Sequence, residues 1–463
     1  MPPVTTSLSP RRLSPIASTL RRGNGAAARA WPGGIEGRQP VHTVYGGAQL
    51  FRSDTARRLG DLALAALEQY APDARTLAEA LKLDVRSNEG ASLAETIRAR
   101  VVRKLRDEPV EDFRIDFEDG YGHRPDAQED AHAQSAAREV AEGFKADTLP
   151  PFIGIRIKPM SNELYARSLR TLDLFVTELV RATRGKLPPS FVVTVPKLFG
   201  PHHVAAVARS CKALERRLKL ESGWIQLELM IETPQSILAA DGTSALRALV
   251  AAGRGRVTGA HFGAYDYTAL CSITASWQHM RHQACDFARH MMQVALAQSP
   301  IHLSDSATNT LPIPLHRAAA DRRLTEAEES ENRAVVHRAW KLHFDDVSHS
   351  LVGGFYQGWD VHPAQLPTRY AALYAFFLSA RPAATARLRN FVEKAAQATL
   401  VGDVFDDAAT GQGLLNFFVR GLSSGALTLD EARETGLSAE ELHGKSFLRI
   451  IENRRATSTR AAK

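Results

Sequence analysis

Leu227-Glu228-Leu229-Met230-Ile231-Glu232-Thr233-Pro234 reads as a strand that runs straight into a helix. Ile225, Leu227, Leu229 and Ile231 alternate with Gln226, Glu228, Met230 and Glu232. A period of two gives one apolar face and one mostly polar face. Thr233 is placed to cap a helix, and Pro234 suits its first turn. Glu232 thus sits where a strand stops and a helix begins, which in a parallel α/β fold is the functional end. One strand-end glutamate is more often a solvated side chain than a working one. The case for Glu232 rests on how many other strand ends match it.

Working outward, Val41 to Gly47 is a β-branched run ending in glycines, a first strand. In Phe113-Arg114-Ile115-Asp116-Phe117-Glu118-Asp119-Gly120, Phe113, Ile115 and Phe117 share one face and Arg114, Asp116 and Glu118 the other. The third strand is Phe152 to Lys158, the fourth Phe191 to Lys197, and the fifth ends at Glu232. The sixth is expected from Val257 to Asp266, the seventh over Ile301-His302-Leu303 and the eighth from Gly354 to Asp360. Helical patterns fill 163–183, 202–219, 236–252, 277–297 and 328–350, and further helix is expected over 364–398 and 410–455. Strand and helix alternate about eight times, which predicts an α/β fold, a (β/α)8 TIM barrel, over 39–370. Residues 1–38 are expected to form a disordered arm and 371–463 a helical C-terminal extension, packed on the barrel mouth or on a neighbouring subunit.

The 463 residues are 44% hydrophobic and 24% charged, with a net charge of +7, ordinary for a globular chain. No apolar run reaches the length of a membrane span. No zinc-finger, RNP or helix-turn-helix pattern is present, so neither a nucleic-acid nor a membrane partner is expected. Cys211, Cys271 and Cys285 form no C-x-x-C pair, which suits a reducing, cytoplasmic setting. The arm is rich in Ser, Ala, Arg and Pro, with no acid before Glu36. That is the composition of a transit peptide, but the arm shows no clear amphipathic stripe and is read as a flexible segment.

Asp116, Glu118, Asp119, Arg156, Lys197, Glu232 and Asp266 all fall at predicted strand ends, and in a barrel these converge on one site. Glu232 and Asp266 suit Mg²⁺, which takes oxygen ligands and leaves positions for water or substrate; a pair of carboxylates that only supports neighbouring groups is the equal alternative. Arg156 is suited to grip a substrate carboxylate or to pair internally with Asp116 or Glu118. His362, after the eighth strand, is the histidine best placed to line the site. His279, His282 and His290 read as helix-surface residues rather than zinc ligands.

In order along the chain, Asp116-Phe117-Glu118-Asp119, Ile155-Arg156-Ile157, Val195-Pro196-Lys197, Ile231-Glu232-Thr233-Pro234, Gly263-Ala264-Tyr265-Asp266-Tyr267-Thr268 and Val361-His362-Pro363-Ala364-Gln365 resemble the motifs of the HpcH/HpaI aldolase and citrate lyase β-subunit-like family. The resemblance implies a Mg²⁺-dependent carbon–carbon lyase on a (β/α)8 barrel. It implies that Glu232 and Asp266 ligate Mg²⁺, with Mn²⁺ as an alternative, and that Arg156 binds a substrate oxyanion or carboxylate. It places Asp116, Glu118 and Asp119 in the acid–base group. Lys197 and His362 are expected to touch substrate, and a raised pKa is expected at Asp119. The first strand, His42-Thr43-Val44-Tyr45-Gly46-Gly47, carries no arginine where many members have one, and the tail exceeds the usual pattern. These departures leave coenzyme A binding open.

The expected function is a lyase or aldolase acting on a small 2-oxo acid or related carboxylate, in a homo-oligomer. The alternatives are a phosphoenolpyruvate-handling phosphoryl-transfer enzyme and a catalytically silent, metabolite-binding barrel. Neither a P-loop nor a G-x-G-x-x-G is present to support a nucleotide.

Overall fold

The computed structural model describes residues 7–33, 37–318, 322–393, 399–401, 404–406, 408–444, 446–447, 449–450 and 452–454. Helix α1 (Pro10–Ala30) precedes β1 (His42–Gly47), which is followed by α2 (Thr55–Tyr70), α3 (Ala74–Leu81) and α4 (Asn88–Asp107). Simple alternation follows: β2 (Asp112–Asp116), α5 (Asp126–Ala146), β3 (Phe152–Arg156), α6 (Tyr165–Thr183), β4 (Phe191–Val195) and α7 (Pro201–Leu218). Strand β5 (Gln226–Ile231) leads to α8 (Pro234–Ile237) and α9 (Leu246–Ala252), and β6 (Val257–Phe262) to α10 (Ala264–Leu270) and α11 (Gln283–Leu296). Then come β7 (His302–Ala307), α12 (Glu326–Val352), β8 (Gln357–Asp360) and α13 (Leu366–Glu393). The chain ends with the hairpin β9 (Thr399–Val401) and β10 (Val404–Asp406), then α14 (Ala408–Ser423), α15 (Leu429–Arg433) and α16 (Ala439–His443).

Strands β1 to β8 form a closed parallel barrel, with β8 pairing back onto β1. Across the ladder, Val44 meets Phe113, Ile115 meets Ile155, Val193 meets Leu227 and Leu229 meets Ala260. All are buried and form the outward face that packs under the helices. The inward face is polar. Tyr45 meets Arg114, Asp116 meets Arg156, Thr194 meets Glu228 and Met230 meets His261. The barrel axis is thus filled by charges. The Arg114 guanidinium reaches Asp112 at 2.5 Å and Glu228 at 2.6 Å. His261 Nε2 lies 3.0 Å from the same Glu228 oxygen. Burial pushes both carboxyls up; Arg114 and His261 outweigh it at Glu228, whose pKa falls below the ordinary range, whereas Asp112 stays above it.

Several boundaries differ from the sequence reading. Strand β6 stops at Phe262, so Asp266 belongs to the first turn of α10 rather than to a strand. The expected helix over 236–252 is split by the Asp241-Gly242 turn, where Gly242 has φ +79° and the Asp241 carboxylate accepts the Thr243 N–H. Helix α13 is the eighth helix of the barrel and runs to Glu393, so a boundary at residue 370 cuts through it. The arm is not wholly irregular, because α1 occupies Pro10–Ala30.

The extension lies at the end of the barrel away from the predicted site. Arg420 Nη1 donates to Gln39 Oε1 at 3.0 Å and its guanidinium stacks over Tyr356. Gln39 and Tyr356 precede β1 and β8, at the N-terminal ends of the strands. Phe377 of α13 bridges Tyr356 and Phe417 of α14. Among the described residues the extension thus packs under the barrel rather than over this chain's own mouth, the first of the two surfaces expected for it. Ending the chain at Glu393 should expose Phe376, Phe377 and Tyr356 and leave a species that self-associates in size-exclusion chromatography. A monodisperse truncation with an unchanged melting temperature would contradict this packing.

Candidate active site

The turn after β2 is built around Asp116. Its Oδ1 accepts the Glu118 N–H at 3.0 Å and its Oδ2 the Gly120 N–H at 2.7 Å. The Arg156 fork closes on the same carboxylate, Nε to Oδ1 at 2.7 Å and Nη2 to Oδ2 at 2.5 Å. Both oxygens are thus committed and the side chain is buried. A Cβ on Gly120 would stand 2.7 Å from Asp116 Oδ2, so only glycine permits this turn without a shift. Asp116 thus holds the Arg156 fork and its own turn with the same two oxygens.

Arg156 uses its remaining edge on the other two acids of the turn. Nη1 lies 2.9 Å from Glu118 Oε2 and 3.3 Å from Asp119 Oδ2. The ring of Tyr45 lies against the guanidinium, 4.9 Å from centroid to Cζ. Tyr45 was not singled out from sequence, although its inward position in β1 and the arginine missing from that strand were both visible.

Lys197 follows β4 in a left-handed conformation, φ +48°. That costs a non-glycine residue on the order of 1 kcal/mol. The geometry turns its N–H onto Glu232 Oε1 at 2.7 Å. It also sends its ammonium among the acids: 2.5 Å from Glu118, 3.3 Å from Asp266 and 3.5 Å from Asp119. Glu232 leaves β5 as read from sequence, with Thr233 capping α8 through the Ser236 N–H. A Cβ on Gly263 would stand 2.6 Å from Glu232 Cβ, so this glycine lets α10 and Asp266 close on Glu232.

Five carboxylates therefore meet two cations. Burial, and next the Glu118 charge, push Glu232 up to about 8, with Lys197 opposing. Burial pushes Glu118 up to about 7 despite Arg156. Asp119 goes the other way. Burial would raise it, but Arg156 and Lys197 together hold it below the usual range. The raised carboxyl expected at Asp119 is found at its neighbour. Exposure separates the group again: the side chains of Asp119 and Asp266 are 61% and 40% exposed, whereas those of Glu118 and Arg156 are 6% exposed.

His362 follows β8, and its side chain serves the turn there. Its Nδ1 accepts the Ala364 N–H at 3.2 Å and caps the turn after β8. Asp360 faces outward and is buried among His42, His343 and Arg369. His282 likewise caps α11 through the Ala284 N–H.

The donors at the mouth are all oxygens and the negative charge is in excess, the chemistry of a hard divalent cation. Among the described residues, no three Asp, Glu, His or Cys side chains form a ready-made cage. Mg²⁺ needs only one or two carboxylates besides water and substrate, and Glu232 and Asp266 are the residues that would supply them. The Lys197 ammonium presently stands among the carboxylates such an ion would approach.

Replacing Arg156 with lysine should remove the fork to Asp116. The expected loss is about 1–3 kcal/mol of unfolding free energy, measured by urea denaturation. An unchanged midpoint would show that the fork contributes nothing to the fold.

Fold and mouth together define a (β/α)8 barrel protein with an acid-rich site at the C-terminal ends of its strands. The chain belongs to the family described as a domain of unknown function, DUF6986, whose model matches residues 20–450. No curated protein matches the sequence. Among solved structures it is similar to a citrate lyase from Burkholderia xenovorans LB400, at 16% identity and a TM-score of 0.53, over 86% of this chain and 97% of that one. It is also similar to a Haloferax volcanii malate synthase in a magnesium/glyoxylate complex, at 13% identity and a TM-score of 0.43, over 89% and 96%. A third is the CitE protein of Mycobacterium tuberculosis in complex with magnesium, acetoacetate and coenzyme A, at 16% identity and a TM-score of 0.43, over 84% and 98%. At these identities the likeness concerns the barrel fold, and the first of the three carries it.

Proposed function

We propose that this protein is a Mg²⁺-dependent carbon–carbon lyase or aldolase of the HpcH/HpaI and citrate lyase β-like kind, acting on a small 2-oxo acid or a related carboxylate. The observation that supports it most is the convergence of carboxylates from the ends of β2 and β5 and from α10 on one point, offset among the described residues by Arg156 and Lys197. A divalent ion held by Glu232 and Asp266 would supply positive charge where negative charge develops as the bond breaks.

The residues of the chain divide the remaining work. Arg156, locked by Asp116 and Tyr45, presents Nη1 to the mouth as a fixed positive edge. Lys197 is the second cation, and once released from Glu118 its ammonium can receive a substrate carboxylate. Asp119 is the exposed acid held ionised, suited to take a proton or orient a water. Glu118 is buried 2.9 Å from Arg156 and 2.5 Å from Lys197, where it can hold a proton and pass it to Asp119.

The test is a screen of pyruvate, glyoxylate, oxaloacetate and their coenzyme A esters, with Mg²⁺ and without nucleotide. Metal-dependent cleavage or condensation is the expected result. Turnover that needs ATP would favour phosphoryl transfer on the same barrel. Binding of one of these acids with no turnover in any combination would favour a silent, metabolite-binding barrel.

A further inference from the structure

Among the described residues, helix α1 is a long helix with no buried residue. Along it Leu13, Ile16, Leu20 and Ala27 recur three, four and seven residues apart, which puts them on one face. Arg11, Arg22 and Arg29 fall on the opposite face, and Arg12 and Arg21 lie on its flanks. The helix contains no Asp or Glu. Leu13, Ile16 and Leu20 are 42%, 52% and 57% exposed, so the barrel does not cover the apolar face. The stripe not recognised in the sequence is present once the helix is formed.

The C-terminal end of α1 is tied to the barrel. Arg247 stacks on Trp31 at 4.9 Å and donates to the Ala30 carbonyl at 2.9 Å, and the Gly33 N–H donates to the Gln298 carbonyl at 3.1 Å. The rest of the helix, roughly 30 Å in full length, presents an apolar stripe backed by five arginines.

We propose that α1 docks the protein on an anionic phospholipid surface, lying flat with Leu13, Ile16 and Leu20 among the acyl chains and the arginines at the phosphates. Two observations favour lipid over a second copy of the chain. The polar face carries a single sign of charge, which complements an anionic sheet. The apolar stripe is narrow, and its flanking arginines can reach outward to headgroups along their aliphatic stems. Among the described residues no helix is long and apolar enough to cross a membrane, and a surface-lying helix does not need to. The sequence reading expected no membrane partner, and this inference goes beyond it.

The test is cosedimentation of the full chain with vesicles of phosphatidylcholine alone and of phosphatidylcholine mixed with phosphatidylserine. Binding should be at least about tenfold stronger to the mixed vesicles and should weaken steeply with salt. The variant carrying Leu13→Asp, Ile16→Asp and Leu20→Asp should lose binding while its melting temperature stays unchanged, because these side chains are exposed and outside the core. A second variant, Arg11→Gln with Arg22→Gln and Arg29→Gln, should lose the preference for phosphatidylserine. No binding to mixed vesicles overturns the proposal, as does binding that survives the three aspartates. A change of oligomeric state in the variants, without vesicle binding, would assign the stripe to a second copy and overturn it too.

Discussion

Arg114→Met should destabilise the barrel by about 3–5 kcal/mol, because it strands two carboxylates in the interior. Arg114 is 1% exposed and bridges Asp112 and Glu228. It also donates to Thr194 Oγ1 at 3.1 Å. Methionine fills much of the volume and offers no charge. Glu228 would keep His261, and Asp112 would keep only the Thr43 hydroxyl at 2.9 Å. Urea unfolding followed by far-UV circular dichroism measures the loss. Adding Glu228→Leu and Asp112→Leu to the same chain should recover part of it, since an apolar set of similar size can replace a buried charge group. A single-variant loss under about 1 kcal/mol would mean that water reaches the interior and screens these acids.

Glu232→Gln and Asp266→Asn should each remove Mg²⁺ or Mn²⁺ binding in calorimetry. They should lower kcat/KM by on the order of 10²-fold or more, about 2.7 kcal/mol. These substitutions separate charge from structure. Glutamine at 232 can still accept the Lys197 N–H through its carbonyl oxygen, so the turn after β4 is kept. Asp266 is 40% exposed, so asparagine should change stability by no more than about 0.5 kcal/mol. Unchanged metal binding in both variants would remove the site. Loss of metal binding without loss of turnover would leave the ion but take it out of the reaction.

The barrel was legible because its outward faces are written in β-branched and aromatic residues at a period of two. Ile153, Ile155 and Ile157 in β3 and its continuation, and Leu227, Leu229 and Ile231 in β5, place both strands without ambiguity. The turn to α8 was legible because Thr233 and Pro234 are local signals. What sequence did not yield depends on contacts between distant segments. Asp116 and Glu118 read in the sequence as one strand face, but β2 ends at Asp116, which is closed off by the Arg156 fork, and Glu118 falls in the turn beside the Lys197 ammonium. Only the turn geometry around Gly120 separates them. The raised carboxyl fell on Glu118 rather than Asp119 because burial decides that shift, and burial is a property of the assembled mouth. The tail's place under the barrel was not legible because the apolar spacing of α13 says that it packs, not where; Arg420 reaching Gln39 is the contact that fixes it.

The charged axis of the barrel also governs how the staves can align. A parallel strand that slips by one residue against its neighbour exchanges its inner and outer faces. In β2 such a slip would turn Arg114 out beneath an apolar helix layer and bring Phe113 into a ring of carboxylates. In β5 it would do the same with Glu228 and Leu227. An apolar interior would tolerate that exchange, since leucine is at home on either side. Here each misaligned pairing isolates a charge, so the ion network at the axis acts as a key that admits one alignment of the strands and sets the height at which Asp116, Arg156 and Glu232 emerge together at the rim.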